Sequence, residues 1–294
     1  MSVDLVCAAP VFLDLTFTGV HELPGPGQER FAEALHRSPG GGAITAIGAA
    51  RLGLSTALAS PLGADGDGDF LRVQLRAEGI EVSERRAERT PVTVVIPLDG
   101  DRAMLTYDPK APVDTEEIAG LRPRAVACGL DQLGIVPDGA LTYATVGDAD
   151  ATTFALRLPD AVAGVRALLL NRDEASTLSG EYEPEAALQT LAERCPTVVV
   201  TLGAVGAIGY VDGEPLRVGG EAVERVRDTT GAGDLFAAAW AWGDLRGLDP
   251  EARLRYAVLY ASLSVTTATG ADGAVTAERL IAEGTRRGLP DVAA

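Results

Sequence analysis

Short runs rich in β-branched and apolar residues alternate with stretches of helical spacing along most of this chain. That alternation restricts the fold more than any other feature of the sequence. Residues 3–8, 55–61, 141–146, 167–170 and 197–202 read as strands. Helical patterns separate or follow them: the glycine-rich entry PGGGAITAIGAARLGL, ending near Gly53, then 67–77, 232–245, 250–268 and 276–283. Strand–helix alternation of this kind implies an α/β fold, a mostly parallel central sheet flanked by helices.

A second set of strands falls outside the alternation. Residues 11–20 and 29–37 flank the turn LPGPG, and 91–98 and 102–107 flank the turn DGD. Joined, they would make a small β-sheet lid inserted at about 11–38 and 90–108. AIGYVDGEPLRVGG reads as a further hairpin. The acidic run DGDGD at 65–69 lacks the features of a calcium loop, since Phe70 stands where glycine is required and Arg76 where a bidentate glutamate belongs. There is no internal repeat or low-complexity linker, so residues 1–294 read as one domain with a β appendage, at the upper size limit for one core.

Charge and residue usage then remove whole classes of function. The formal charge is −17 and the pI about 4.5, a surface that repels nucleic-acid phosphates and anionic membranes. Lys110 is the sole lysine, which rules out the lysine-bearing phosphate loop GxxxxGK[ST]. Cys7, Cys128 and Cys195 are odd in number and widely spaced, and His21 and His36 are the only histidines, so neither a disulfide framework, a zinc cluster nor a histidine-based triad has material. No basic leader and no apolar stretch of roughly 18 residues are present, and the expected location is cytoplasmic.

The chemistry concentrates in RDTTGAGDLFAAAW, residues 227–240. The first turn of a helix carries N–H groups without intrahelical partners and a partial positive charge, which together suit an anion. Gly231, Ala232 and Gly233 let backbone approach such a ligand, and Asp234 sits inside the same turn, where positive potential favours its ionised form. An ionised acid beside an anion hole is what phosphoryl transfer to an alcohol needs: the hole stabilises charge on the moving group and the acid accepts the hydroxyl proton.

The longer string DTTGAGDLFAAA resembles the C-terminal signature of the ribokinase, or PfkB, family of carbohydrate kinases, and PGGGAITAIGAARLGL resembles its N-terminal one. LLLNRDEASTLSG carries an N-x-x-E motif, and VVVTLGAVGAIGY resembles the nucleotide-side strand and turn. The resemblance runs in order over residues 3–280. It implies a ribokinase-like fold and an ATP- and Mg²⁺-dependent kinase acting on a hydroxyl of a sugar or sugar-like alcohol. Under it Asp234 is the base, Gly231, Ala232 and Gly233 form the anion hole, and Asp14, Gly40 and Gly41 bind substrate. Asn171 and Glu174 hold Mg²⁺ through water, while Thr201, Gly203 and Gly206 lie at ATP. Asp228 and Thr230 match positions that hold a monovalent cation such as K⁺, and a homodimer through the lid is implied. Trp240 and Trp242 read as core.

One position departs from the pattern. Aligned on its closing Arg51-Leu52-Gly53, the N-terminal signature puts Ile44 where the family has a substrate-binding asparagine, and isoleucine cannot make that bond. Thr45 is adjacent but points about 100° away around a helix. Ile44→Asn would on this alignment improve turnover of simple furanoses. Two alternatives stay open: a nucleoside kinase of the same family, its base walled by Phe12, Phe17, Phe31 or Ile44, and a sugar-binding sensor with weakened catalysis. A dinucleotide-binding oxidoreductase ranks last, because GAVGAIG lacks the GxGxxG spacing.

Overall fold

The computed structural model describes residues 2–98, 101–267, 269–290 and 292. The turn residues Asp99 and Gly100 and the helix end expected at Ala268 lie outside them. In chain order the elements are β1 (Leu5–Cys7), β2 (Val11–Thr18), β3 (Ala34–Gly41), α1 (Gly42–Arg51), β4 (Thr56–Leu58), β5 (Leu62–Gly63), α2 (Gly66–Ala77), β6 (Glu81–Val82), β7 (Arg86–Ala87), β8 (Val92–Leu98), β9 (Asp101–Tyr107), α3 (Thr115–Leu121) and β10 (Ala125–Cys128). There follow β11 (Leu141–Thr145), α4 (Asp148–Thr153), β12 (Ala167–Asn171), α5 (Arg172–Ser179), α6 (Pro184–Ala192), β13 (Val198–Thr201), β14 (Gly206–Val211), β15 (Glu214–Gly219), α7 (Ala232–Leu245), α8 (Pro250–Ser264) and α9 (Ala277–Arg286).

Nine strands form the main sheet in the order β15-β14-β13-β12-β11-β10-β1-β4-β6, parallel except where β14 and β15 join antiparallel at one edge. Successive residues of its strands bury on opposite faces. Leu5, Cys7, Tyr143, Leu169 and Val199 enter the core shared with α1, α7 and α8, whereas Leu168, Leu170, Val198 and Val200 enter a second core beneath α5 and α6. A sheet covered on both sides needs apolar residues at every position, hence strands that read as continuous apolar runs. Trp240 and Trp242 are fully buried, Trp242 edge-on to Tyr256 with ring centroids 5.7 Å apart.

A separate four-stranded sheet has the order β3-β2-β8-β9, with β2 and β8 parallel and both outer pairs antiparallel. It contains the strands expected outside the alternation, with one displacement. The strand expected at 29–37 runs instead over Ala34–Gly41, because pairing to β2 sets Asp14 opposite Ser38 and carries the ladder through Gly40 and Gly41. The glycines therefore end a strand before they open a helix. One central strand, β10, was not anticipated: its sequence AVAC is short and alanine-rich, a composition poor in strand signal, and the pairing of β10 between β1 and β11 supplies what propensity does not.

Candidate active site

The parallel strands end on one side of the main sheet, the side on which ligands bind in open α/β folds. There α1 and α7 cross closely. A Cβ at Gly48 would lie 2.5 Å from Leu235 Cδ2 and 3.0 Å from Ala238 Cβ, so glycine is what permits the approach. The crossing brings the first turns of the two helices together, and Thr45 Oγ1 donates to Asp234 Oδ1 at 3.0 Å. From the separate sheet, Arg102 on β9 donates to Thr229 Oγ1 at 2.8 Å, spanning to the loop before α7.

Gly231 is the N-cap of α7 with φ +78° and no side-chain cap. The first-turn N–H groups are thus not taken by a capping side chain, although Ala232 N–H reaches the Thr229 carbonyl at 3.3 Å. Asp234, in this turn, has its pKa raised to about 6: burial raises it, and the Thr45 hydrogen bond and the Arg102 charge pull it back. The net shift is upward, opposite to the direction expected from the helix turn, since desolvation outweighs the Thr45 hydrogen bond and the Arg102 charge.

Asp14 is 6% exposed and lies over the diglycine: a Cβ at Gly40 would fall 2.2 Å from its Oδ1. Gly41, at φ +59°, could not carry a side chain either, since a Cβ there would sit 2.5 Å from the Pro10 carbonyl oxygen. The strand register puts Asp14 on the same sheet face as Ser38 and Thr93, with Thr106 bonded to Thr93 across 3.1 Å. This hydroxyl-bearing face was invisible until strand pairing was known. Burial, with the Asp234 and Asp228 charges adding, raises Asp14 to about 7.

Asn171 and Glu174 form a reciprocal cap at the start of α5. Asn171 Oδ1 accepts from the N–H groups of Asp173 at 2.8 Å and Glu174 at 2.9 Å, and Glu174 Oε2 accepts from Asn171 N–H at 2.7 Å. Burial raises Glu174 to about 7 against that last bond, with Asp234, Asp148 and Asp173 adding to the rise. Asn171 pairs in register with Thr201 on β13. Thr201, Gly203 and Gly206 line an apolar pocket of ≈270 Å³, which Ala232, Gly233 and Phe236 also border. Thr201, Gly203 and Gly206 thus share one cavity with Ala232 and Gly233, while Gly231 does not line it and Asn171 and Glu174 stand where β12 passes into α5.

Asp228 is 7% exposed and accepts from Thr230 N–H at 2.9 Å through Oδ1. Its Oδ2 and Thr230 Oγ1 are buried without a hydrogen-bond partner among the described residues. No group of three or more His, Cys, Asp or Glu among those residues forms a ready metal-ligand set, and no helix among them is long and apolar enough to cross a membrane. All three cysteines are free and buried.

Ile44 lies on α1 against the loop that carries Gly231. It is 1% exposed, and its Cδ1 lies 2.8 Å from where a Cβ would stand on either Gly231 or Gly270, so it packs beneath the loop that leads into α7. Its neighbour Thr45 is the residue whose polar atom meets Asp234. Ile44→Asn therefore buries an amide in an apolar contact. The expected result is a loss of roughly 3–5 kcal/mol of stability, read as a lower denaturant midpoint, without improved furanose turnover.

The raised acids also set a pH dependence of stability. Asp14 titrates at about 7 folded against 3.8 as a free side chain, so between those values the folded chain holds a proton that the unfolded chain has released. Stability then falls as pH rises from about 4 to about 7. Thermal melts of the free protein should show a higher Tm at pH 5.5 than at pH 8, with the difference smaller in Asp14→Asn; an unchanged difference would remove Asp14 as a source.

A sequence model of pfkB family carbohydrate kinases matches residues 17–119 and 141–277. A ribokinase from Lactococcus lactis is 37% identical over a stretch covering 29% of this chain and 28% of that protein. A nucleoside kinase from Methanothermobacter thermautotrophicus is 26% identical over 92% of this chain and 87% of its own. Among solved structures, Arabidopsis thaliana ribokinase complexed with ribose and ATP superposes with a TM-score of 0.79 at 23% identity, covering 96% of this chain and 98% of that one.

Proposed function

This chain belongs to the pfkB family of carbohydrate kinases, a family of sugar and nucleoside kinases, and we propose that it transfers the γ-phosphoryl group of ATP to a hydroxyl of a sugar or sugar-like alcohol. The observation that carries the reading is the position of Asp234. It stands in the first turn of α7, whose Ala232 and Gly233 border the apolar pocket, and its charge couples to Asp14 on β2 of the separate sheet.

In this mechanism the pocket beside Thr201, Gly203 and Gly206 takes the base and ribose of ATP, and the first turn of α7 directs N–H groups at the phosphates. Asp14 and the neighbouring hydroxyl face orient the acceptor. Asp234 takes the acceptor hydroxyl's proton as that oxygen bonds to the γ-phosphorus, and the bond from γ-phosphorus to the bridging oxygen breaks with its electron pair leaving on ADP. Mg²⁺, when bound, neutralises phosphate charge; Asn171 and Glu174 would hold it through water, a fit favoured by the repulsion of Asp234, Asp148 and Asp173 on Glu174. The unpartnered oxygens of Asp228 and Thr230 fit a monovalent cation such as K⁺ beside the anion hole.

The β3-β2-β8-β9 sheet serves in this reading as a lid that keeps water from the phosphoryl group, with the Arg102 to Thr229 bond as one point of closure. By strand register, exposed Leu35, Leu105 and Tyr107 share one face of that sheet, which suits a homodimer formed through the lids.

Phe12 gives a nucleoside acceptor specific support. Its ring packs against Gly41, 2.7 Å from where a Cβ would stand, on the same face of β2 as Asp14. A thermal-shift screen of sugars, polyols and nucleosides with Mg²⁺ and an ATP analogue, followed by ADP release on each hit, separates the two classes. Protection and turnover by sugars or polyols support the leading reading. Selective turnover of nucleosides replaces it with the second, and protection without ADP release from any compound leaves a binding protein in place of an enzyme.

A further inference from the structure

We propose that Thr45 is a positioning residue for the base: its hydroxyl holds Oδ1 of Asp234 and leaves Oδ2 turned to the acceptor. The inference rests on the kinase reading of Asp234 and adds a residue to it. Thr45 is 4% exposed, and its Oγ1 donates to Asp234 Oδ1 across 3.0 Å from a different helix, 189 residues away in sequence. A threonine inside a helix commonly turns its hydroxyl back to a carbonyl one turn earlier. Here the hydroxyl serves the carboxylate instead.

The surrounding packing makes the bond rigid. Ile44 lies beneath Gly231 and Gly48 abuts Leu235 and Ala238, so the residues on either side of Thr45 fix α1 against the start of α7 at two points. Branching at Cβ limits Thr45 to few rotamers, so the position of Oγ1 follows from the backbone. A carboxylate with one oxygen bonded in this way cannot spin freely about its last torsion, and the remaining oxygen keeps a set direction. The bond also favours the charged form of Asp234, against burial. The other charged or titratable groups that bear on Asp234 are Arg102 from β9, Glu174 from α5, Asp14 from β2 and Cys7 from β1.

Thr45→Val removes the hydroxyl and keeps the shape, while Thr45→Ser keeps the hydroxyl and removes the methyl. In the valine variant kcat should fall about tenfold at saturating substrates with KM for ATP unchanged, and the acid limb of kcat should move up by about one pH unit, the scale of one hydrogen bond to a charged group. The serine variant should recover most of both. A valine variant with wild-type kcat and limb, or a serine variant as impaired as valine, overturns the proposal, the second outcome showing packing alone. ¹³C NMR titration of the Asp234 carboxyl, assigned with Asp234→Asn, reads the same bond without catalysis. It should titrate higher in Thr45→Val than in wild type, and coincident curves also overturn the proposal. Because this readout needs no turnover, it separates failure of the Thr45 assignment from failure of the kinase reading, which wild-type turnover tests.

Discussion

Asp234→Asn should lower kcat by roughly 10²-fold or more, the scale of a lost general base, while ATP binding stays close to wild type. The amide has nearly the shape of the carboxylate, and its oxygen can still accept the Thr45 hydroxyl, so the contact between α1 and α7 should survive. What is lost is a group that titrates at about 6 and can take a proton at neutral pH. In the proposed mechanism ATP binding draws instead on the apolar pocket around Thr201, Gly203 and Phe236, which Asp234 does not line. Calorimetric ATP affinity and single-turnover rates, measured side by side, check both halves. Wild-type turnover would remove Asp234 from the chemistry, and a large loss of ATP affinity would mean that the residue supports the pocket.

Gly231→Ala should be nearly as damaging, for steric reasons. The residue sits at φ +78°, a conformation costing roughly 1–2 kcal/mol for any residue with a Cβ. The added methyl would also stand 2.8 Å from Ile44 Cδ1 and 3.1 Å from Gly270 Cα. Relief requires the loop ahead of α7 to move, and with it the N–H groups proposed to face the phosphoryl. Loss of one such donor costs roughly 10²–10³ in kcat, and that is the expected fall here. Adding Ile44→Val, which removes the clashing Cδ1, should restore part of it. If the double variant is no better than Gly231→Ala alone, the contact beneath the loop is not what sets its position.

Legibility in the sequence followed burial and chain distance. The strands at 141–145 and 198–201 were readable because a sheet covered on both faces demands unbroken apolar runs, and α7 was readable to its ends because Gly231 and a small-residue helix mark its start. β10 was not, since its alanines and cysteine carry little strand preference and its place between β1 and β11 is a property of the whole sheet. The motifs located Asp234, Asn171 and Glu174, but the charge coupling of Asp14, Glu174 and Asp234 depends on crossovers that join residues far apart in the chain. Ile44 and Thr45 are chain neighbours with different surroundings. One residue of register is about 100°, enough to exchange a side chain buried under Gly231 for the hydroxyl that meets the base.

The central claim is that Asp234 stands where a phosphoryl donor and an alcohol acceptor meet. Its most direct test is the stoichiometry of transfer: ADP released and phosphorylated acceptor formed, both quantified by mass spectrometry, with wild type and Asp234→Asn supplied with ATP, Mg²⁺ and the best-protecting acceptor. The prediction is one phosphorylated acceptor per ADP for the wild type and a rate lower by roughly 10²-fold for the variant. ADP released without any phosphorylated acceptor, or equal rates from the two proteins, would contradict it.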